Sequence, residues 1–228
     1  MGLFFALKRP ELVRMKHPVD GGIAMLPERF PASVKTIESL AGQLNTLYIR
    51  WQGQDPPAFP SWCVVSWGEN TGDIGKFHPS ENDFVTLDDD LVYPEGYIQD
   101  FVRNAKRFPG AILTHHGKTW QGPTVNYFGE VRNEVYCLHE NLKEIQLTAP
   151  GTGCSFYPKE IYQRLQKELE QDWNCGDILV GSWAKKNGVT IQAVRHRIGY
   201  FRYLRPKDTI WDQSQTRDMT ALWNKYMG

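Results

Sequence analysis

The chain has 228 residues and a mass of 26.3 kDa, the size of one domain or of a domain with a small appendage. At 41% hydrophobic and 13% aromatic residues it can bury a full core, which excludes wholesale disorder. Its 26 basic residues balance its 26 acidic ones, so there is no global positive field to gather nucleic acid, and any such contact needs a local patch.

No stretch approaches the roughly 18 apolar residues of a membrane span. The run from Leu3 to Leu7 is broken by Lys8, Arg9 and Pro10, too short for a signal-peptide core. Cys63, Cys137, Cys154 and Cys175 are widely spaced and form no CxxC pair, as expected of reduced thiols in a cytoplasmic protein. Residues 1–20 carry little periodicity and read as an N-terminal arm or a short helix, ahead of a single domain over 21–228.

Gly22 to Leu26 is a short apolar run stopped by Pro27, the pattern of a buried strand. Val34, Ile37, Leu40, Ala41 and Leu44 give a helical period over 32–44, with Ser33 as N-cap. The segments 46–51 and 62–67 are rich in β-formers, and a polar loop follows over 68–75. Phe84 to Leu87 forms another strand and runs straight into Asp88, Asp89 and Asp90. Pro94 and Glu95 open a helix to about Phe108, and Ala111 to Thr114 returns as a strand. Such alternation predicts an α/β fold with a mainly parallel sheet flanked by helices. Ligands of such sheets bind beyond the carboxyl ends of the strands. That rim collects the 27–29 loop, the 68–76 loop and the three aspartates. The second half is more mixed: short strands over 125–128, 135–138, 145–149 and 189–194, helices over 158–172, 177–186 and 216–226, and a Gly151-Thr152-Gly153 loop.

Asp88, Asp89 and Asp90 are the sharpest chemical feature. Three adjacent carboxylates repel one another and call for a compensating cation. Mg²⁺ and Mn²⁺ take one or two carboxylates plus substrate phosphates, whereas the bland alternative is an acidic turn. The loop Glu69 to Lys76 offers two glycines for sharp turns, Asp73 as an acceptor for a base or ribose, and Lys76 as a point charge for phosphate.

Asn70, Gly72, Asp73, Gly75 and Lys76, followed by Phe84 to Leu91, Tyr93, Pro94, Tyr97 and Ile98, resemble the core of GT-A-fold glycosyltransferases. The pattern is closest to bacterial and phage family-2-like enzymes, over roughly residues 21–200. Leu26 to Arg29 with the helix after it, and His116-Gly117-Lys118, Gly151-Thr152-Gly153, Gly176-Asp177-Ile178 and Val189-x-Ile191 further on, fit that order. The resemblance implies a GT-A, Rossmann-like fold. Its nucleotide-binding half would span about 21–115 and its acceptor-side half 116–228. The three aspartates match the DXD motif, with Asp88 and Asp89 near the ribose and Asp90 and Asp88 on a Mn²⁺ or Mg²⁺ ion. Asp73 and Lys76 match donor-loop positions, and Pro27 and Arg29 would border a uracil or other base. Asp177 matches the acidic residue that serves as catalytic base, and His196 sits where a late histidine completes the metal site. The implied activity is metal-dependent transfer, inverting, from a UDP-linked or similar nucleotide sugar. The acceptor would be a glycan, a glycolipid, or a hydroxymethylated pyrimidine in phage DNA.

Each of these residues also has a plainer reading. Asp177 suits the first turn of a helix through its dipole alone. His196, between Arg195 and Arg197, reads equally as a hydrogen-bonded surface residue. His115 and His116 point to opposite faces of a strand, so one of them, His116, is placed near donor or acceptor. Trp120 is the candidate sugar platform. The basic stretch from Arg195 to Lys207, interleaved with Tyr200, Phe201 and Tyr203, is either a clamp on an anionic ligand or a solvated edge. Two other functions share the acidic rim: a sugar nucleotidyltransferase, against which the glycine-poor 27–29 loop counts, and a non-catalytic nucleotide-sugar-binding module.

Overall fold

The computed structural model describes residues 18–119, 126–127, 133–169, 172, 174–205 and 218–227. An eight-stranded sheet forms the frame. Its strands are β1 (Val19–Met25), β2 (Thr46–Trp51), β3 (Cys63–Trp67), β4 (Asp83–Leu87), β6 (Ile112–Thr114), β9 (Ile145–Leu147), β11 (Cys154–Tyr157) and β12 (Ile191–Ala193). They lie in the order β3-β2-β1-β4-β11-β6-β12-β9. β1 pairs in parallel with β2 and β4, β2 with β3, and β12 with β6. β11 runs antiparallel between β4 and β6, and β9 closes the far edge antiparallel to β12. Three short strands, β7 (Gly117–Thr119), β8 (Asn133–Val135) and β10 (Ala149–Pro150), make a second sheet, and β5 (Leu91–Val92) pairs with β13 (Arg202–Tyr203).

Alternation along the strands divides the core in two. Val85 and Leu87 of β4, Leu113 of β6 and Phe156 of β11 face one cluster. There they meet Ile37 and Leu40 of α1 (Phe30–Leu40) and Tyr97, Ile98 and Phe101 of α2 (Tyr97–Arg107). Phe84, Ile112 and Tyr157 face the other, against α3 (Lys159–Glu168), α4 (Gly176–Asn187) and α5 (Met219–Met227). Phe84 stacks on Tyr162 with ring centroids 4.0 Å apart. Every residue of β1 is buried, as a central strand covered on both faces requires.

The mainly parallel, helix-flanked sheet agrees with the sequence pattern, and several boundaries move for local reasons. β1 begins at Val19, so Val19 and Asp20 belong to the sheet rather than to an arm; the Asp20 carboxylate accepts from Ser80, Asn82 and Asn45. α1 starts three residues before the expected cap because Pro31 suits a first turn. Ser33 lies inside the helix and donates to the Arg29 carbonyl at 3.0 Å. α2 begins at Tyr97 instead of Pro94 because Gly96, at φ 80°, turns left-handed and breaks the run. The antiparallel insertion of β11 was not anticipated.

β1 passes close to the 3-10 turn Gly72–Lys76. A Cβ on Gly22 would stand 1.8 Å from the Lys76 carbonyl oxygen, and backbone cannot yield cheaply there. Gly22→Ala is expected to destabilise the fold by about 3 kcal/mol, measured by urea denaturation; an unchanged midpoint would show that the strand and turn are not in contact.

Candidate functional site

The carboxyl end of β4 is held at Asp88 by one main-chain bond and by the Tyr93 hydroxyl. The Asp88 N–H reaches the Tyr93 hydroxyl at 2.8 Å and the Gly153 carbonyl at 3.2 Å, and the Tyr93 hydroxyl donates to that same carbonyl at 2.7 Å. Thr36 donates to the Asp89 carbonyl at 3.1 Å, and the Leu204 N–H to that of Asp90 at 2.8 Å. A side chain at Gly153 would collide with the Asp88 carboxylate, with a Cβ only 1.8 Å from Oδ2.

Two buried cations answer the three carboxylates. Arg29, in the 3-10 turn Pro27–Arg29, reaches Asp89 at 2.7 Å and Asp90 at 2.6 Å, and Lys76 pairs with Asp88. Burial works against both cations, but the aspartates outweigh it and raise both pKa values: Asp89, Asp90 and Asp88 for Arg29, and chiefly Asp88 and Asp73 for Lys76. Burial also opposes the charge on Asp88, yet Lys76 and Arg29 hold its carboxyl below the usual range. Burial pushes Asp89 up to about 6 against the pull of Arg29. Asp90 is pushed up to about 7 by burial and by the charges of Asp88 and Asp89. Three acids against two bases leave the cluster one negative charge in excess, and Asp90 carries the strain.

Two cavities meet at this cluster. The larger, about 770 Å³, is lined by Arg29, Asp89, Asp90 and the segment Glu134 to Asn141, within the ~300–1,000 Å³ usual for small-molecule sites. The smaller, about 220 Å³, is lined by Asp73, Tyr127, Asn174 and Asp177. Lys76, Asp88, His116 and Cys137 border both and form the neck between them.

The smaller cavity is built where the 72–76 turn meets the start of α4. The Asp73 carboxylate accepts from the Gly176 N–H at 2.9 Å, at the positive end of that helix, and the Asp73 N–H donates to Asn174 Oδ1 at 3.1 Å. Asn174 is held at φ 50°, a region that asparagine tolerates better than most residues. Asp73 Oδ1 and Asn174 Nδ2 are buried without a hydrogen-bond partner among the described residues, an unmet acceptor and an unmet donor behind the cavity wall. Asp177 receives the Tyr127 hydroxyl at 2.5 Å and the Ile178 N–H at 2.9 Å.

The structure therefore gathers Arg29, Asp73, Lys76, Asp88, Asp89, Asp90, His116 and Asp177 around two joined cavities. It does not bring in Pro27, which is exposed and lines neither. His196 also lines neither. Its buried ring faces His115, with the two Nδ1 atoms 3.3 Å apart, and packs beside Tyr200 and Phe201. Trp120 lies outside the described residues. Among the described residues, no three or more His, Cys, Asp or Glu side chains converge as a metal site. Asp88 and Asp90 supply two carboxylates on the larger cavity, the number Mg²⁺ or Mn²⁺ takes when phosphate oxygens complete the shell.

Sequence reading missed Tyr127, Asn174 and the neck thiol Cys137. The Cys154 thiol donates to the Cys137 sulfur, and together with His116 this lowers Cys137 to about 5 despite burial, while burial and that same bond drive Cys154 far up.

No family model matches the chain, and no curated protein does. Among solved structures it is similar to S. aureus TarS (residues 1–349), with 12% identity and a TM-score of 0.48. The match covers 80% of this chain and 59% of that one, so this chain spans about 59% of the length of the protein it matches.

Burial raises Asp73 to about 6, Lys76 opposing and Asp177 adding to it; an unfolded aspartate titrates near ~3.9. Between about pH 4 and 6 the folded chain holds a proton that the unfolded chain has released, so Asp73 makes stability fall as pH rises through that window. Asp73→Asn is expected to remove a change of about 2–3 kcal/mol from the wild-type profile, read by urea melts across that range. Parallel profiles for the two proteins would clear Asp73 of this role.

Proposed function

We propose that the chain is a glycosyltransferase that moves a sugar from a nucleoside-diphosphate sugar, with uridine as the first base to test, to an acceptor hydroxyl. The observation that carries this reading is the joining of the two cavities through the Lys76–Asp88 neck, with the acidic cluster on one side and Asp177 on the other. The larger cavity has room for a nucleoside diphosphate, and the smaller is lined by the polar residues Asp73, Asn174 and Asp177, which suit sugar hydroxyls.

In this reading Lys76 sits beside the bond that breaks and offsets charge on the departing diphosphate. A divalent cation, Mn²⁺ or Mg²⁺, held by Asp88 and Asp90 would supply the rest of that compensation. Arg29 is occupied by Asp89 and Asp90, so its role is to fix the acidic turn. Asp177 Oδ1 or Oδ2 takes the proton of the attacking hydroxyl, and Tyr127 orients that carboxylate. Attack from the Asp177 side inverts the anomeric centre. Asp73 and Asn174 bind sugar hydroxyls from the wall.

Thermal-shift measurements with a panel of nucleotide sugars, with and without Mn²⁺, name the donor, because ligand binding stabilises the folded state by mass action. Asp177→Asn is expected to lower transfer by about 10²–10⁴-fold with donor affinity unchanged. Equal turnover would remove Asp177 as the base. Chelation is expected to abolish the donor-induced shift and Mn²⁺ to restore it; a shift that survives chelation would remove the metal from donor binding.

A further inference from the structure

A second feature lies at the outer wall of the larger cavity. Leu142 is 58% exposed and Ile198 is 74% exposed. Their segments are tied together by a main-chain pair, Asn141 N–H to the His196 carbonyl at 2.9 Å and His196 N–H to the Asn141 carbonyl at 2.8 Å. The buried Asn141 side chain adds a bond to the Val194 carbonyl at 3.1 Å. Two large aliphatic side chains therefore stand out from a rigid base.

The ground around them is basic. Lys143, Arg195 and Arg197 are exposed on the same two segments. Glu144 joins these segments to α2, accepting from Arg107 at 2.6 Å and from Arg195 at 3.3 Å. That brings in the exposed Arg103, Lys106 and Arg107 of the last turns of α2. Six cations thus face Asp100, Glu140 and Glu144, in a chain whose formal net charge is zero. Single exposed aliphatics are ordinary. Two on linked segments that also carry exposed Lys143, Arg195 and Arg197, and that Glu144 ties to Arg107 of α2, match a surface that rests in the headgroup layer of an anionic bilayer. Single-stranded nucleic acid wants exposed aromatic platforms instead. Here Phe201 is buried and Tyr200 is half-buried, and Tyr136 at the cavity wall is the exposed ring, a single platform rather than a row of them. Among the described residues no helix is long and apolar enough to cross a membrane, so contact through this face would be peripheral.

We infer that the face carrying Leu142 and Ile198 docks the chain on an anionic lipid surface. The cavity wall at His139, Glu140 and Asn141 immediately precedes Leu142, so docking brings the larger cavity close to the headgroups. Resting on the transferase reading, this makes the acceptor a membrane-borne, lipid-linked hydroxyl compound.

The test is flotation of the full chain with vesicles of phosphatidylcholine alone and of phosphatidylcholine with phosphatidylglycerol. The chain is expected to float with the anionic vesicles, less so as salt rises. Leu142→Ser with Ile198→Ser is expected to lower partitioning roughly tenfold or more, with the melting temperature unchanged. Arg195→Ser with Arg197→Ser is expected to flatten the salt dependence. Absence of flotation at low salt, or equal partitioning of the aliphatic double variant, would overturn the inference. So would binding to a single-stranded oligonucleotide that depends on the same arginines while anionic vesicles are ignored. The assay uses no donor and no turnover, so its failure leaves the transferase reading standing, and a null result for Asp177→Asn leaves the docking surface standing.

Discussion

Two buried cations hold three adjacent carboxylates at the rim of the sheet, and most of the site follows from that balance. Lys76 and Arg29 come from different turns, each placed by a strand end, and each meets aspartates of the β4 terminus. Buried charges are costly to desolvate, and removing one partner leaves the other uncompensated. The network therefore ties both turns to the end of β4, at a cost if either partner is lost. It also leaves the cluster short of one positive charge, which is why Asp90 is pushed up to about 7 by burial and by Asp88 and Asp89. A fold selected for stability alone gains nothing from a third acid in such a place.

The frame was legible because parallel strands covered on both faces read as short continuous apolar runs separated by helical periods. β1 and β4 follow that rule, whereas β2 alternates half-buried with buried residues and β3, at the sheet edge, exposes Val64 and Trp67 and was read from its β-forming residues instead. β11 escaped notice for a physical reason. It pairs with β4 across about 70 residues of chain, Cys154 opposite Leu87 and Tyr157 opposite Phe84, and nothing in a local window reports direction. The helix starts moved for a similar reason. Pro31 and Gly96 decide them through single-residue backbone preferences, which periodicity averages away.

The site was legible where one segment carries its own chemistry, as Asp88 to Asp90 and the Asp73–Lys76 turn do. It was hidden where partners are remote. Asp73 bonds to Asn174 and Gly176 about a hundred positions away, and Tyr127 reaches Asp177 from a different loop. The His196 placement teaches a different lesson. Arg195 and Arg197 are exposed and His196 between them is buried, so the alternation of an extended segment turned the histidine inward. Its two charged neighbours signalled an outward-facing stretch, and the period-two rule contained the answer.

Asp73 joins these threads, because its carboxylate belongs to two parts of the molecule at once. It feels Lys76 and so belongs to the rim charges, and it caps the Gly176 N–H and so belongs to α4, which carries Asp177. Losing its charge weakens both the attraction to the helix dipole and the field on Lys76. Protonation of this buried acid gives up local attraction to Lys76 and to the helix end while relieving the larger cost of burying its charge.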